Sequence, residues 1–89
     1  KQAAILREER ARLQRLLAQV VGVTAFPSEA NMILVRVADA VRAFDGMKQR
    51  GVLVKNISPL HPLLSNCLRL TVGTPEENTL MIDALKASL

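Results

Sequence analysis

The sequence predicts an α+β domain: a small, mainly antiparallel sheet of three to four strands with helices packed on one face. Three observations lead to it. The stretches Met32 to Val37 and Cys67 to Val72 place successive residues on opposite faces with one face apolar, the period of a half-buried strand. Residues 2–21, 40–50 and 75–87 space their apolar side chains three and four apart, the period of a helix with one buried stripe. Turn residues separate these segments and fix the order helix, strand, helix, strand, strand, helix. At 89 residues this is one domain, 1–89, because a second core would leave each half too little apolar surface to bury.

The first helix runs from Gln2 to Val21, with Leu6, Leu13, Leu16, Leu17 and Val20 at helical spacing and Gly22 as its stop. Glu8 and Arg12 are expected to pair at i,i+4, an interaction worth a few tenths of a kcal/mol. The chain starts at Lys1 rather than Met, inside a helical pattern with no cap before it, which points to an excised domain with residues 1–22 as a connecting helix. Pro27 and the short residues around it then favour an extended approach to the first central strand, with Ser28 and Asn31 fixing the turn through side-chain to backbone bonds. In that strand Ile33, Val35 and Val37 share one face and Met32, Leu34 and Arg36 the other.

Asp39 caps the second helix, whose stripe is Val41, Phe44 and Met47 or Lys48. Gly46 costs it about 1 kcal/mol relative to Ala, so this helix depends on tertiary packing. Gly51 ends it, and Val52 to Ile57 is read as the second strand. Residues 58–66, with Pro59 and Pro62, form a loop. The third strand is Cys67 to Val72, with Leu68, Leu70 and Val72 facing inward. Thr74, Pro75 and Glu77 then make a capping box with Pro at the first helical position, opening a helix whose stripe is Leu80, Met81, Ala84 and Leu85.

Composition excludes several function classes. Every apolar run is short and broken by charge or Pro, so no segment crosses a membrane as a helix, and no targeting segment is visible. Cys67 is the lone cysteine; it asks for no oxidising compartment, and a cytoplasmic setting is expected. The net charge of +4 does not imply nucleic acid, because five of the twelve cations lie in residues 1–22 around Glu8 and Glu9. Phe26 and Phe44 are the only aromatic residues, which leaves no stacking platform for bases. His61 has no acid or cysteine partner near it in sequence and reads as a loop residue; no metal site is expected. Cys67 reads as an inert strand thiol.

Arg69 is the residue that asks for chemistry. It stands on the outward face of an interior strand, where a guanidinium must be solvated, paired with a carboxylate of this domain, or used to hold a carboxylate or phosphate bidentately. The residues alone leave these readings open.

The stretch Asn66 to Asn78, Asn-Cys-Leu-Arg-Leu-Thr-Val-Gly-Thr-Pro-Glu-Glu-Asn, resembles the closing signature of the small domain of pyridoxal-phosphate aminotransferases, most closely the histidinol-phosphate aminotransferase family. Pro27-Ser28-Glu29-Ala30-Asn31 and Arg50-Gly51-Val52-Leu53-Val54-Lys55 match it in order and spacing, so the resemblance covers essentially the whole chain. It implies the C-terminal small domain of a cytoplasmic, homodimeric fold-type I enzyme that converts histidinol phosphate and 2-oxoglutarate to imidazole-acetol phosphate and glutamate, in histidine biosynthesis. It implies that Arg69 grips the anionic end of the substrate. Lys55 stands where the family often has arginine, and it keeps the charge without the bidentate fork. Met32 replaces a frequent phenylalanine.

Pyridoxal phosphate needs a Schiff-base lysine, an acid for its pyridinium nitrogen and a phosphate cup. None of Lys1, Lys48, Lys55 or Lys86 lies in the Ser-x-x-Lys context the family uses. The catalytic residues and the cofactor site are therefore expected outside this chain, and the isolated chain is expected to be inactive. The same small domain could serve an aromatic aminotransferase or a threonine-phosphate decarboxylase. A non-catalytic α+β interaction module is the alternative of a different class.

Overall fold

The computed structural model describes residues 2–27 and 31–89; the expectations at Lys1 and Ser28 lie outside them. Its elements are α1 (Gln2–Ala18), β1 (Thr24–Ala25), β2 (Met32–Arg36), α2 (Ala40–Gln49), β3 (Lys55–Asn56), β4 (Cys67–Thr71) and α3 (Pro75–Ser88). Two 3-10 turns, Ser58–Leu60 and Pro62–Leu64, fill the loop between β3 and β4. The four strands form one antiparallel sheet in the order β1-β2-β4-β3. The α+β expectation holds. The fourth strand is β1, a two-residue edge pairing within the stretch expected to be merely extended.

The sheet is apolar toward the helices. Ile33 and Val35 of β2 and Leu68 and Leu70 of β4 are fully buried and join Leu13 and Leu17 of α1, Ala40, Ala43 and Met47 of α2, and Met81, Ile82, Ala84 and Leu85 of α3 in one core. Strand periodicity makes this one-sided: each inward residue has an outward neighbour, so β4 turns Cys67, Arg69 and Thr71 to the opposite face.

Several local readings need correction. The α2 stripe is Ala40, Ala43 and Met47, while Val41 is 62% exposed. In α3, Leu80 is 63% exposed and Ile82 takes its place in the core. In both helices the small or C-terminal neighbour points at the sheet, a rotation that hydropathy alone does not resolve. The second strand narrows to Lys55–Asn56, which pair with Arg69 and Leu68 of β4, while Val52 still donates its N–H to Met47 O of α2 at 2.9 Å. Arg12 pairs with Glu9, not Glu8.

The caps are as expected. Asp39 Oδ1 accepts from Arg42 N at 3.1 Å. Thr74 and Glu77 close a reciprocal box, Thr74 Oγ1 accepting from Glu77 N at 3.2 Å and Glu77 Oε1 from Thr74 N at 2.9 Å. Gly51 takes φ +79°, a left-handed turn that a side chain would strain. Gly46 serves packing: a Cβ there would lie 2.5 Å from Ser88 Oγ and 3.3 Å from Ser88 Cα, so its absence lets α2 and α3 approach closely.

Candidate anion-binding face of the sheet

Arg69 sits at the centre of the outward face. It pairs in register with Leu34 of β2 on one side and with Lys55 of β3 on the other. Directly opposite residues in an antiparallel pair hold their Cβ atoms about 4.5–5.5 Å apart, and like charges so placed destabilise the sheet. Nothing in the strands offsets the two cations, since no strand residue is acidic. Among the described residues the ion pair is Glu9–Arg12, on the helical side. Arg69 Nε is buried and has no hydrogen-bond partner. A buried guanidinium N–H left unmade costs about 1–3 kcal/mol, which singles Arg69 out among the strand residues.

The surroundings suit such an acceptor. Leu34 is half-buried and apolar, and it removes water from one flank of Arg69. Lys55 is exposed and supplies a mobile ammonium on the other flank. A planar fork beside a point charge, against a partly dry wall, fits a phosphate or carboxylate.

A third cation on this face is already committed. Arg36, at the end of β2, donates through Nε to Ser65 O at 3.0 Å and through Nη2 to Leu63 O, and its guanidinium carbon lies 5.4 Å from the Phe26 ring centroid. It ties the loop before β4 to the segment after β1. Sequence reasoning placed Arg36 on the right face but gave it no task, because its partners are loop carbonyls with no sequence signature.

The other singled-out residues are structural. His61 Nδ1 accepts from Leu63 N at 3.1 Å and caps the second 3-10 turn. Cys67 is buried, with Sγ 3.6 Å from Ser65 O. Asn31 acts through its backbone: its carbonyl accepts from Val72 N at 2.8 Å, clamping the entry of β2 to the exit of β4.

Sequence reasoning missed a buried polar cluster behind the site. Asn78, 1% exposed, accepts from Gly73 N through Oδ1 at 2.8 Å and donates through Nδ2 to Gly73 O at 3.0 Å and to Glu9 Oε1 at 3.1 Å. Glu9 in turn accepts from Arg12, whose Nη2 also reaches Pro75 O at 3.2 Å and Thr79 Oγ1 at 3.4 Å. The hydrogen bonds from Arg12 and then from Asn78 hold the Glu9 carboxyl below its ordinary range, against the opposing effect of burial. The signal was present in the spacing: Glu9 stands four and eight residues before Leu13 and Leu17, on the buried stripe of α1.

The described lysines, Lys48, Lys55 and Lys86, are all exposed, and none is ion-paired with a described acid. They do not fit the enclosed lysine and acid that hold pyridoxal phosphate. The donor set of Arg69 and Lys55 fits an anionic substituent instead.

Over 89 residues the chain is 68% identical to a histidinol-phosphate aminotransferase of Methylibium petroleiphilum, covering 100% of this chain and 24% of that protein. The chain belongs to the histidinol-phosphate aminotransferase family. It thus spans about a quarter of the length of that relative. No sequence-family profile matches it. In fold it resembles the histidinol-phosphate aminotransferase from Clostridium acetobutylicum, with TM-score 0.86 and 20% identity over 94% of this chain and 26% of that one. It also resembles L-threonine-O-3-phosphate decarboxylase from Porphyromonas gingivalis, with TM-score 0.83 and 24% identity over 92% of this chain and 26% of that one. At these identities the two likenesses concern the fold alone. The family signature read from residues 66–78 therefore marks a histidinol-phosphate aminotransferase sequence on a fold that other enzymes share.

Proposed function

We propose that residues 1–89 are the C-terminal small domain of a homodimeric, cytoplasmic, pyridoxal-phosphate-dependent histidinol-phosphate aminotransferase, with residues 1–22, whose helix α1 ends at Ala18 rather than Val21, as the segment connecting it to a larger domain. The enzyme converts histidinol phosphate and 2-oxoglutarate to imidazole-acetol phosphate and glutamate. The observation that carries the role of this domain is the buried, unpartnered Nε of Arg69 with Lys55 directly across the strand pair.

The contribution of this domain is binding and orientation. Arg69 holds the phosphate of histidinol phosphate in one half-reaction and a carboxylate of glutamate or 2-oxoglutarate in the other, since both anions match its fork. Lys55 adds charge and draws the anion in. Fixing the far end of the substrate places its amine at the reacting centre, where orientation of this kind lowers the barrier by several kcal/mol. Pyridoxal phosphate, held by residues beyond this chain, supplies the electron sink and carries the amino group.

Steady-state transamination by the full-length enzyme tests this reading, with histidinol phosphate and phenylalanine compared as donors. The expected result is a strong preference for histidinol phosphate, and an Arg69→Ala loss in kcat/KM on the order of 100-fold, or about 2.7 kcal/mol. A preference for phenylalanine would move the enzyme to the aromatic aminotransferases. Release of carbon dioxide from threonine phosphate would move it to the decarboxylases.

A further inference from the structure

The Asn78 cluster lies at the junction of β4 and α3, and its geometry is that of a fixture. The amide grips Gly73 from both sides, taking its N–H and giving to its carbonyl. Because Oδ1 must face Gly73 N, Nδ2 is turned to Gly73 O and to Glu9, so the amide has one orientation that satisfies every partner. Gly73 is four residues beyond Arg69, and Val72 between them is tied by its N–H to Asn31 O. Glu9, on α1, anchors the amide from the far side and is itself held by Arg12. The exit of β4 is therefore bolted to α1 through a buried side chain.

We propose that Asn78 and Glu9 are positioning residues for the anion grip, setting the end of β4, and with it the reach of Arg69, relative to α1. The inference rests on the reading of Arg69 given above. A strand displaced by a fraction of an ångström at Gly73 shifts the guanidinium it carries. Misplacement of a binding group by about 1 Å lowers catalytic efficiency by up to about 100-fold. Glu9 acts through Asn78, so its removal loosens one of the three bonds of the amide and has the smaller effect.

The test uses the full-length enzyme and two donors, histidinol phosphate and histidinol. The ratio of their kcat/KM values reports the grip on the phosphate, and it is independent of how much of each variant is active. A merely structural role, which reduces the amount of folded enzyme, leaves this ratio unmoved. Asn78→Ala is expected to lower the ratio about 10-fold, and Glu9→Ala about threefold, with the loss carried by KM for histidinol phosphate. Arg69→Ala is measured beside them and is expected to lower the ratio most. An unchanged ratio in Asn78→Ala while Arg69→Ala lowers it would overturn the inference and leave the reading of Arg69 standing. An unchanged ratio in Arg69→Ala would overturn both. Should Asn78→Ala give no folded enzyme, Glu9→Ala decides by the same ratio, because it keeps the amide and its two bonds to Gly73.

Discussion

Arg69 and Lys55 face each other across one strand pair, and they differ in how their charge can act. Arg69 is half-buried with a buried Nε, whereas Lys55 is exposed on a flexible stem. Salt screens the second far more than the first. Lys55→Ala is therefore expected to lower kcat/KM for histidinol phosphate about 3- to 10-fold at low ionic strength, an effect that shrinks as salt rises, while the Arg69→Ala effect persists. Equal salt sensitivity of the two variants would remove the distinction. At this scale the sequence showed the strand position of Arg69 but not its missing partner, which depends on what the neighbouring strands lack. It also named Glu8 where Glu9 binds Arg12, because the i,i+4 rule weighs the pair alone, whereas Glu9 lies on the buried Leu13 and Leu17 stripe.

At the scale of elements, caps and turn residues were legible since their partners lie within a few residues. Asp39, Thr74, Glu77 and Gly51 all behave as their types require. Helix faces were less so. Val41 and Leu80 looked like core residues by hydropathy, yet α2 buries alanines to come close to α3 and the sheet. The same close approach explains Gly46. Its replacement by Ala gains about 1 kcal/mol of helix propensity but forces Cβ into Ser88, an overpacking that costs about 1–3 kcal/mol. Gly46→Ala is thus expected to lower the melting temperature, and Ser88→Gly in the same chain to recover part of the loss. A higher melting temperature for Gly46→Ala alone would show that the helices separate freely.

For the whole molecule, one sheet face makes the core and the other turns Arg69 and Lys55 away from it, a division that follows from strand periodicity and from helices on one side only. Deleting Leu68 or Leu70 to Ala removes fully buried volume from the central strand, with an expected cost of about 2–5 kcal/mol in urea unfolding. A cost below about 1 kcal/mol would mean the core collapses around the gap. The Glu9 carboxyl contributes to stability with a definite sign. Its folded value lies below the ordinary 4.5, so the contribution is complete above that pH and is lost as pH falls through the folded value. Glu9→Gln is expected to be less stable than the parent at neutral pH, with the difference narrowing as pH falls below the ordinary value of 4.5. A constant difference across that range would separate Glu9 from the acid response.

The central claim is that the outward face of the sheet takes the substrate anion, and the most direct measurement is a crystal structure of the full-length enzyme with histidinol phosphate bound. The account predicts Arg69 Nε and a terminal guanidinium nitrogen about 2.7–2.9 Å from phosphate oxygens, with Lys55 on the same phosphate. A phosphate held elsewhere, with Arg69 paired to a carboxylate of the protein, would contradict it.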